Sequence, residues 1–318
     1  MREKITLINK SSIKTIDNCF EEFVLNMKVR NLRPSTIKFY KDYFHIFNMF
    51  IDSETPINQV TKETIDEYIL WLKERKTEKD STININLNAI RAFCKYCQSL
   101  GYMEQFKINK IKADKEIIDT YTDFELNLLL KKPNVKRATF KEFSTWAIEN
   151  TLIGTGMRAG TLINLKIKDI DFDNDLITYR HTKNRRQTII PLSLTLKQVL
   201  VEYLKYRKAN NEEDYLFCNS YGGFLKRNQL THNIAKYNRD RGVNRTGVHK
   251  FRHTFAKKWI LSGGDIFRLQ KILCHSSLDM VRIYVDMFTS DLQKDFSTFN
   301  PLDQLKQKKY ISLRGGKR

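Results

Sequence analysis

Between residues 13 and 102 apolar side chains return every three or four positions, in runs separated by capping or turn residues, and that rhythm permits little other than a small helical bundle. Ile16, Phe20, Phe23, Val24 and Met27 mark a first helix over residues 13–30. The Arg33-Pro34-Ser35-Thr36 turn opens a second through Ile37, Tyr40, Phe44 and Phe47, because proline suits a first helical turn. Thr61 caps a third that carries Ile65, Tyr68, Ile69 and Leu72. Ser81 or Thr82 opens a fourth through Ile85, Leu87, Ile90, Phe93 and Tyr96, and Gly101 marks its end. Short connections between these runs predict a four-helix domain over residues 12–102.

The pattern changes at residue 103. Residues 103–118 are charged and weakly periodic, as in a linker or an extended backbone-tracking segment, and a second domain of α+β character is expected over residues 119–300. Helical spacing marks residues 123–130, 139–152, 161–165, 194–208, 228–240, 248–261, 265–273 and 278–285. Leu176-Ile177-Thr178-Tyr179 and Thr188-Ile189-Ile190 read instead as the strands of a hairpin turning over residues 182–187. The expected fold class is therefore mainly α, with one small β-hairpin or sheet in the second domain and a basic tail over residues 301–318. With 318 residues, 41% of them hydrophobic, the chain can bury two modest cores.

Charge narrows the function. Lys and Arg number 56 against 36 Asp and Glu, a net +20. Residues 1–120 hold 20 basic and 17 acidic side chains, which leaves 36 and 19 for the remainder, so +3 lies in the first part and +17 in the second. Such an excess favours a polyanionic partner over a small metabolite. No apolar run reaches the length of a membrane span, and the start, Arg2-Glu3-Lys4 followed by polar residues, lacks a signal-peptide core. A cytoplasmic or nucleoid-associated protein without membrane partners is expected. The five cysteines are odd in number and widely spaced, which fits a reducing compartment, and Cys94-x-x-Cys97 reads as buried helix thiols because no second pair or histidine cluster accompanies it.

Several chemistries lack their residues. There is no Gly-rich phosphate loop with its Lys-Ser/Thr and no His-Glu-x-x-His. Asp169, Asp171, Asp173 and Asp175 alternate without the glycine and terminal glutamate of a calcium loop, and read as a solvated turn. Neither a metal nor a cofactor is expected.

The second domain instead offers cations and imidazoles suited to a phosphate: Arg158 after Gly154-Thr155-Gly156, Lys183 in the hairpin turn, then His249, Arg252, His253 and His275. Gly156 allows close backbone approach, and Arg158 can present a forked donor pair to two phosphoryl oxygens. On a helix, His249 and Arg252 share a face, so that one could handle a proton while the other holds phosphoryl charge. His253 lies one position further round and reads as an inward, hydrogen-bonded residue. His275 stands at a junction between helices. Among the 14 tyrosines Tyr284 is nine residues beyond His275, within Met280-Val281-Arg282-Ile283-Tyr284-Val285, although spacing alone does not separate it from Tyr310.

These residues, in this order, resemble those of the tyrosine recombinases, or phage integrases. Gly154-Thr155-Gly156-Met157-Arg158 is similar to the family's first arginine box, and Thr182-Lys183 ahead of Arg185-Arg186-Gln187-Thr188-Ile189-Ile190-Pro191-Leu192 to its hairpin lysine. His249-Lys250-Phe251-Arg252-His253-Thr254-Phe255-Ala256 resembles the second box, and Leu273-Cys274-His275-Ser276-Ser277 followed by Tyr284 the last. The first domain resembles the family's SAM-like core-site DNA-binding domain, so that the resemblance covers about residues 12–300. The chain departs from the pattern at Cys274, where glycine usually precedes the histidine, at Thr161, where an acidic residue is common, and at Val281, where threonine is common. Only about a dozen residues precede the first helix, so the architecture resembles the compact Xer-type and transposon recombinases rather than those with an additional arm-binding domain.

The resemblance implies a mechanism. Tyr284 attacks the scissile phosphate and forms a 3′-phosphotyrosyl link with a free 5′ hydroxyl, while Arg158, Arg252 and His275 stabilise phosphoryl charge, His249 assists removal of the tyrosine proton and Lys183 protonates the 5′ oxygen. The bond energy is kept for rejoining, so no cofactor is implied. The implied partners are double-stranded DNA with inverted core repeats, three further copies of the chain in a homotetramer on two duplexes, and in some systems a directionality factor. The resemblance also implies that the two domains clamp duplex DNA and that residues 286–299 form a helix donated to a neighbouring protomer, against the alternative of a self-packed helix. Integration or excision of a mobile element is the expected role. The alternatives are Xer-like chromosome or plasmid dimer resolution, a non-catalytic DNA-binding regulator, and a type IB topoisomerase or telomere resolvase.

Overall fold

The computed structural model describes residues 14–75, 79–114, 118–180, 187–275, 277–278, 281–282 and 284–285. The chain divides into two compact units, residues 1–117 and 118–318.

The first unit is built on helices α1 (Ile16–Val29), α2 (Pro34–Asn48), α3 (Lys62–Glu74) and α4 (Asp80–Ser99). Their starts follow local rules. Thr15 accepts the Asn18 backbone N–H, Pro34 occupies the first position of α2, and Thr61 and Thr64 form a reciprocal capping box on α3. Helix α4 begins just before the expected Ser81 or Thr82, and Gly101 follows it with φ at +72°. Stacking of Phe20 on Phe44, with ring centres 3.4 Å apart, and the edge contact of Phe47 on Tyr68 join α1, α2 and α3 in one core. The buried Tyr68 hydroxyl donates to Asn86 on α4 at 2.9 Å. Cys19, Cys94 and Cys97 are free, buried thiols, and burial pushes Cys94 up to about 12.

The charged stretch after α4 is not detached from this unit. Met103 and Ile108 enter its core, Arg91 donates to the Ile108 carbonyl at 2.7 Å, and the Asn84 amide exchanges two hydrogen bonds with the Ile111 backbone. Alternating charged and apolar residues hide this burial, because an extended segment lying on helices needs only an occasional anchor.

The second unit is organised around α6 (Phe140–Thr155), which packs against α8 (Leu194–Tyr206), α9 (Arg227–Asp240) and α10 (Val248–Leu261). Helices α5 (Asp123–Leu129) and α7 (Ala159–Leu162) add Leu126, Leu129, Ala159 and Leu162 to the same core, and α11 (Ile266–Ile272) packs against α10. The sheet is antiparallel in the order β1 (Ile170–Asp171), β2 (Leu176–Tyr179), β3 (Thr188–Pro191), with Ile177 opposite Ile190. β2 and β3 are the expected hairpin strands, while β1 is too short to show any alternation. Of the four alternating aspartates, Asp171 ties the turn by accepting from the Asp173 and Asn174 backbone, whereas Asp169 is buried and pairs with Arg180 at 2.6 Å. No helix among the described residues is long and apolar enough to cross a membrane.

Because α6 is surrounded, its polar side chains must be satisfied internally. The hydroxyls of Thr145, Thr151 and Thr155 donate to carbonyls one turn back. Glu149 is the exception: it is fully buried and neither carboxylate oxygen has a hydrogen-bond partner. Burial raises its pKa well above the ordinary value, with Arg241 opposing. For an acid shifted in this direction, stability is fully present below the unfolded-state pKa. It is lost as pH rises toward the folded-state value, since the unfolded chain ionises first. Glu149→Gln is therefore expected to melt higher than the wild type at about pH 8, by about 2–4 °C for each kcal/mol relieved, with the advantage shrinking toward about pH 4. Calorimetric melting of both proteins across that range checks this.

Candidate active site

Helix α6 ends at Thr155, and Gly156 then turns the chain with φ at +61°. A side chain could not replace this hydrogen, since a Cβ would lie 2.6 Å from Phe255 and 2.7 Å from Leu273. Met157 is buried by the turn and Arg158 emerges at the start of α7. Arg252 approaches from the second turn of α10. It donates to the Gly156 carbonyl at 2.8 Å and to the Leu273 carbonyl at 2.7 Å. Arg158 donates to the same Leu273 carbonyl at 3.1 Å and to that of Cys274 at 3.2 Å. Two guanidinium groups far apart in sequence thus share one acceptor at the end of α11.

That end has a specific geometry. The Cys274 N–H bonds the Lys271 carbonyl and the His275 N–H the Gln270 carbonyl, the paired bonds of a Schellman motif, whose left-handed position is held here by Cys274 at φ +50°. The motif turns His275 inward. It is 8% exposed and its Nδ1 is buried without a hydrogen-bond partner. Burial first, then Arg252 and Arg158, lower its pKa to about 3, so the ring is neutral.

His249 stands one turn before Arg252 on α10. Burial lowers its pKa, followed by the fields of Arg252, Arg227 and Arg158. Arg252 is itself held down to about 10 by burial and then by Arg158, and stays protonated at neutral pH. Among the described residues, the charges acting on the two arginines are those of Tyr284 and Cys274, with Arg158 and Tyr179 acting also on Arg252, and none is a carboxylate.

Tyr284 is 4% exposed and packs with Ala256, Leu269, Leu273 and Val281. Burial raises its pKa while Arg252 and Arg158 pull it down, which places the phenol within the field of both arginines. Its hydroxyl is hydrogen-bonded with His253 Nδ1, at 2.7 Å. Five of the six residues expected from the sequence, Arg158, His249, Arg252, His275 and Tyr284, therefore converge. Lys183 lies outside the described residues, as do Tyr310 and residues 286–299. Two features of the site escape sequence reasoning: Arg227, whose only signal is its positive charge, and the contact of His253 with Tyr284. Among the described residues no group of three or more His, Cys, Asp or Glu is placed to hold a metal.

The pattern described as the Phage integrase family matches residues 119–290, and that of the phage integrase N-terminal SAM-like domain matches residues 19–101. The chain belongs to the phage integrase family. It is accordingly an enzyme, a tyrosine-type site-specific DNA recombinase that works through a phosphotyrosyl link. Among curated relatives, tyrosine recombinase XerC of Oceanobacillus iheyensis is 26% identical over 289 residues, covering 86% of this chain and 92% of its own. XerC of Chlamydia caviae is 28% identical over 240 residues, covering 73% and 76%. The fold is shared with the Tn1549 transposon integrase in complex with a circular intermediate DNA, at a TM-score of 0.70 and 21% identity over 85% of this chain and 94% of that one. It is shared also with a lambda integrase tetramer bound to a Holliday junction, at 0.67 and 14% over 86% and 78%.

Within this phage integrase, the departure at Cys274 has a measurable cost. A non-glycine residue in left-handed backbone costs about 1–2 kcal/mol, part of it offset because glycine loses about 0.5–1 kcal/mol more conformational freedom on folding. Cys274→Gly is expected to stabilise the second unit by up to about 1 kcal/mol. Denaturant unfolding measures this, and a variant weaker than the wild type would mean that packing of the thiol outweighs the strain.

Proposed function

We propose that Tyr284 is the nucleophile of this recombinase and that Arg158, Arg252 and His275 form the pocket for the scissile phosphate. The observation that carries the reading is the convergence of Arg158 and Arg252 on the Leu273 carbonyl, with the Tyr284 phenol inside their combined field. Each arginine keeps donors beyond those given to carbonyls. A guanidinium held at its back by the chain is preorganised for charge that develops on phosphoryl oxygens in the transition state. His275, neutral and with one ring nitrogen unengaged, supplies a further contact. His249, near Arg158, Arg227 and Arg252, is a neutral imidazole at the cationic side of the same pocket.

Lys183 completes the set as the acid that protonates the departing 5′ oxygen. The substrate is double-stranded DNA carrying inverted core repeats, and the acting assembly is a homotetramer on two duplexes, a reading supported by the lambda integrase tetramer whose fold this chain shares. Integration or excision of a mobile element is the proposed role, with the shared fold of the transposon integrase in support. Inverted repeats at the ends of a discrete element around the gene would agree with it, whereas their absence together with a single chromosomal site would point to dimer resolution.

A nicked suicide duplex tests the nucleophile. Tyr284→Phe should bind DNA as the wild type does and form no covalent complex, and trapping at the wild-type level would refute the assignment. Arg158→Ala and Arg252→Ala should each slow single-turnover cleavage by about 100-fold or more while changing DNA affinity only slightly, because one cation in many contributes little to phosphate attraction and much to the transition state. Equal losses in both would place them on the general DNA-binding surface.

The hairpin lysine has its own test. Lys183→Ala should cleave ordinary DNA poorly and recover on a 5′-bridging phosphorothiolate, whose sulfur leaves without protonation. Arg158→Ala should recover far less. Equal recovery would make Lys183 one more electrostatic contact.

A further inference from the structure

Of the two histidines that flank Arg252 on α10, the one in contact with Tyr284 is His253. Its Nδ1 lies 2.7 Å from the phenolic oxygen, with ring centres 5.6 Å apart and planes tilted by 47°. His249 makes no hydrogen bond to Tyr284, although both residues are among those described. The reason is angular. One residue beyond Arg252, a step of about 100° round the helix carries His253 from the face that meets Gly156 and Leu273 toward the cluster of Ala256, Leu269, Leu273 and Val281 that buries Tyr284.

Among the described residues, the titratable and charged groups around this imidazole are His249 and Arg252 on its own helix, His275 after α11, and Tyr284 itself. Burial and the two neighbours on α10 hold His253 below its ordinary pKa, so at neutral pH the ring is uncharged and one nitrogen carries a lone pair. With a neutral ring in contact with a phenol, the phenol donates and Nδ1 accepts. A phosphodiester arriving between Arg158 and Arg252 changes the balance. Its negative charge offsets the arginines, and the affinity of His253 for a proton rises when the electrophile is in place.

We propose that His253 is a catalytic residue of this recombinase, taking the proton of Tyr284 through Nδ1 during strand cleavage and returning it during resealing. The proposal rests on Tyr284 being the nucleophile. In cleavage the Oη–H bond breaks as Nδ1–H forms, Oη bonds to phosphorus, and the electron pair of the P–O5′ bond leaves with the 5′ oxygen, which is protonated separately. In resealing the 5′ hydroxyl returns its proton to the group that supplied it and attacks phosphorus, the P–Oη bond breaks, and the imidazolium protonates the departing phenolate. The lowered basicity favours the release step, and the phosphate charge that raises the proton affinity of His253 favours the uptake step.

The test uses the full chain and a nicked suicide duplex, with His253→Ala, His253→Asn, His249→Ala and Tyr284→Phe compared at equal DNA occupancy. DNA affinity of the His253 variants should match the wild type, and His253→Asn, which can keep a hydrogen bond to Tyr284, should melt as the wild type does. Both should form the covalent complex about 100- to 10,000-fold more slowly, the range of general acid–base assistance. Added imidazole should restore part of the His253→Ala rate, and a 5′-bridging phosphorothiolate should not, since a better leaving group does not deprotonate the nucleophile. Wild-type rates in His253→Asn would overturn the proposal by showing that a hydrogen bond alone suffices. So would faster cleavage by His253→Ala, which would make the contact a restraint, or a loss that sulfur substitution repairs and imidazole does not. Covalent trapping by Tyr284→Phe would instead refute the nucleophile on which the proposal rests.

Discussion

A single backbone carbonyl, that of Leu273, holds the active site together. It accepts from Arg158 at 3.1 Å and from Arg252 at 2.7 Å, and without it a buried cation and a half-buried one would repel one another with less to offset them. The carbonyls in the last turn of a helix lack partners within it and carry the negative end of its dipoles, so the end of α11 is a suitable counterweight. Gly156 extends the same device, since its carbonyl takes a second donor from Arg252 and its missing side chain lets Phe255 and Leu273 close over the turn. Backbone dipoles here offset part of the charge without cancelling it, and the net positive charge that remains is the basis of the phosphate pocket proposed above.

That charge explains the state of the histidines. His249, His253 and His275 are each pushed below the ordinary imidazole pKa, first by burial and then by arginines or by each other. The arginines therefore supply fixed charge while the imidazoles remain neutral groups able to accept or donate. The Tyr284 phenol feels burial and the arginines in opposite senses. On the proposed reading, an incoming phosphodiester alters these balances together and would tie proton transfer to the presence of the bond to be cut.

Much of the fold is legible in the sequence because its signals are local. Pro34, Thr61 and Gly101 mark helix ends by the backbone conformations and hydrogen bonds they allow, and the alternation in Leu176–Tyr179 and Thr188–Pro191 marks paired strands. β1, with two residues, exists only through its pairing with β2. Met103 and Ile108 are hidden in a charged stretch because their burial depends on a helix surface and not on their neighbours in sequence. His253 reads from sequence as an inward, hydrogen-bonded residue; it is hydrogen-bonded, but its partner is the phenol of Tyr284.

By itself the sequence determined the helical periods, the hairpin, the excess of positive charge and the ordered set of Arg158, Lys183, His249, Arg252, His275 and Tyr284, all of which are properties of residue type and spacing. The tertiary structure alone decided which of those groups meet. Arg158 reaches a carbonyl 115 residues away, Arg252 one 96 residues away, and His253 a hydroxyl 31 residues away. Helical periodicity assigns each side chain a direction on its own helix. Only packing of α6 and α11 against α10 assigns that direction a partner, which is why the histidine touching Tyr284 is the one a single step beyond Arg252 and not the one a turn before it.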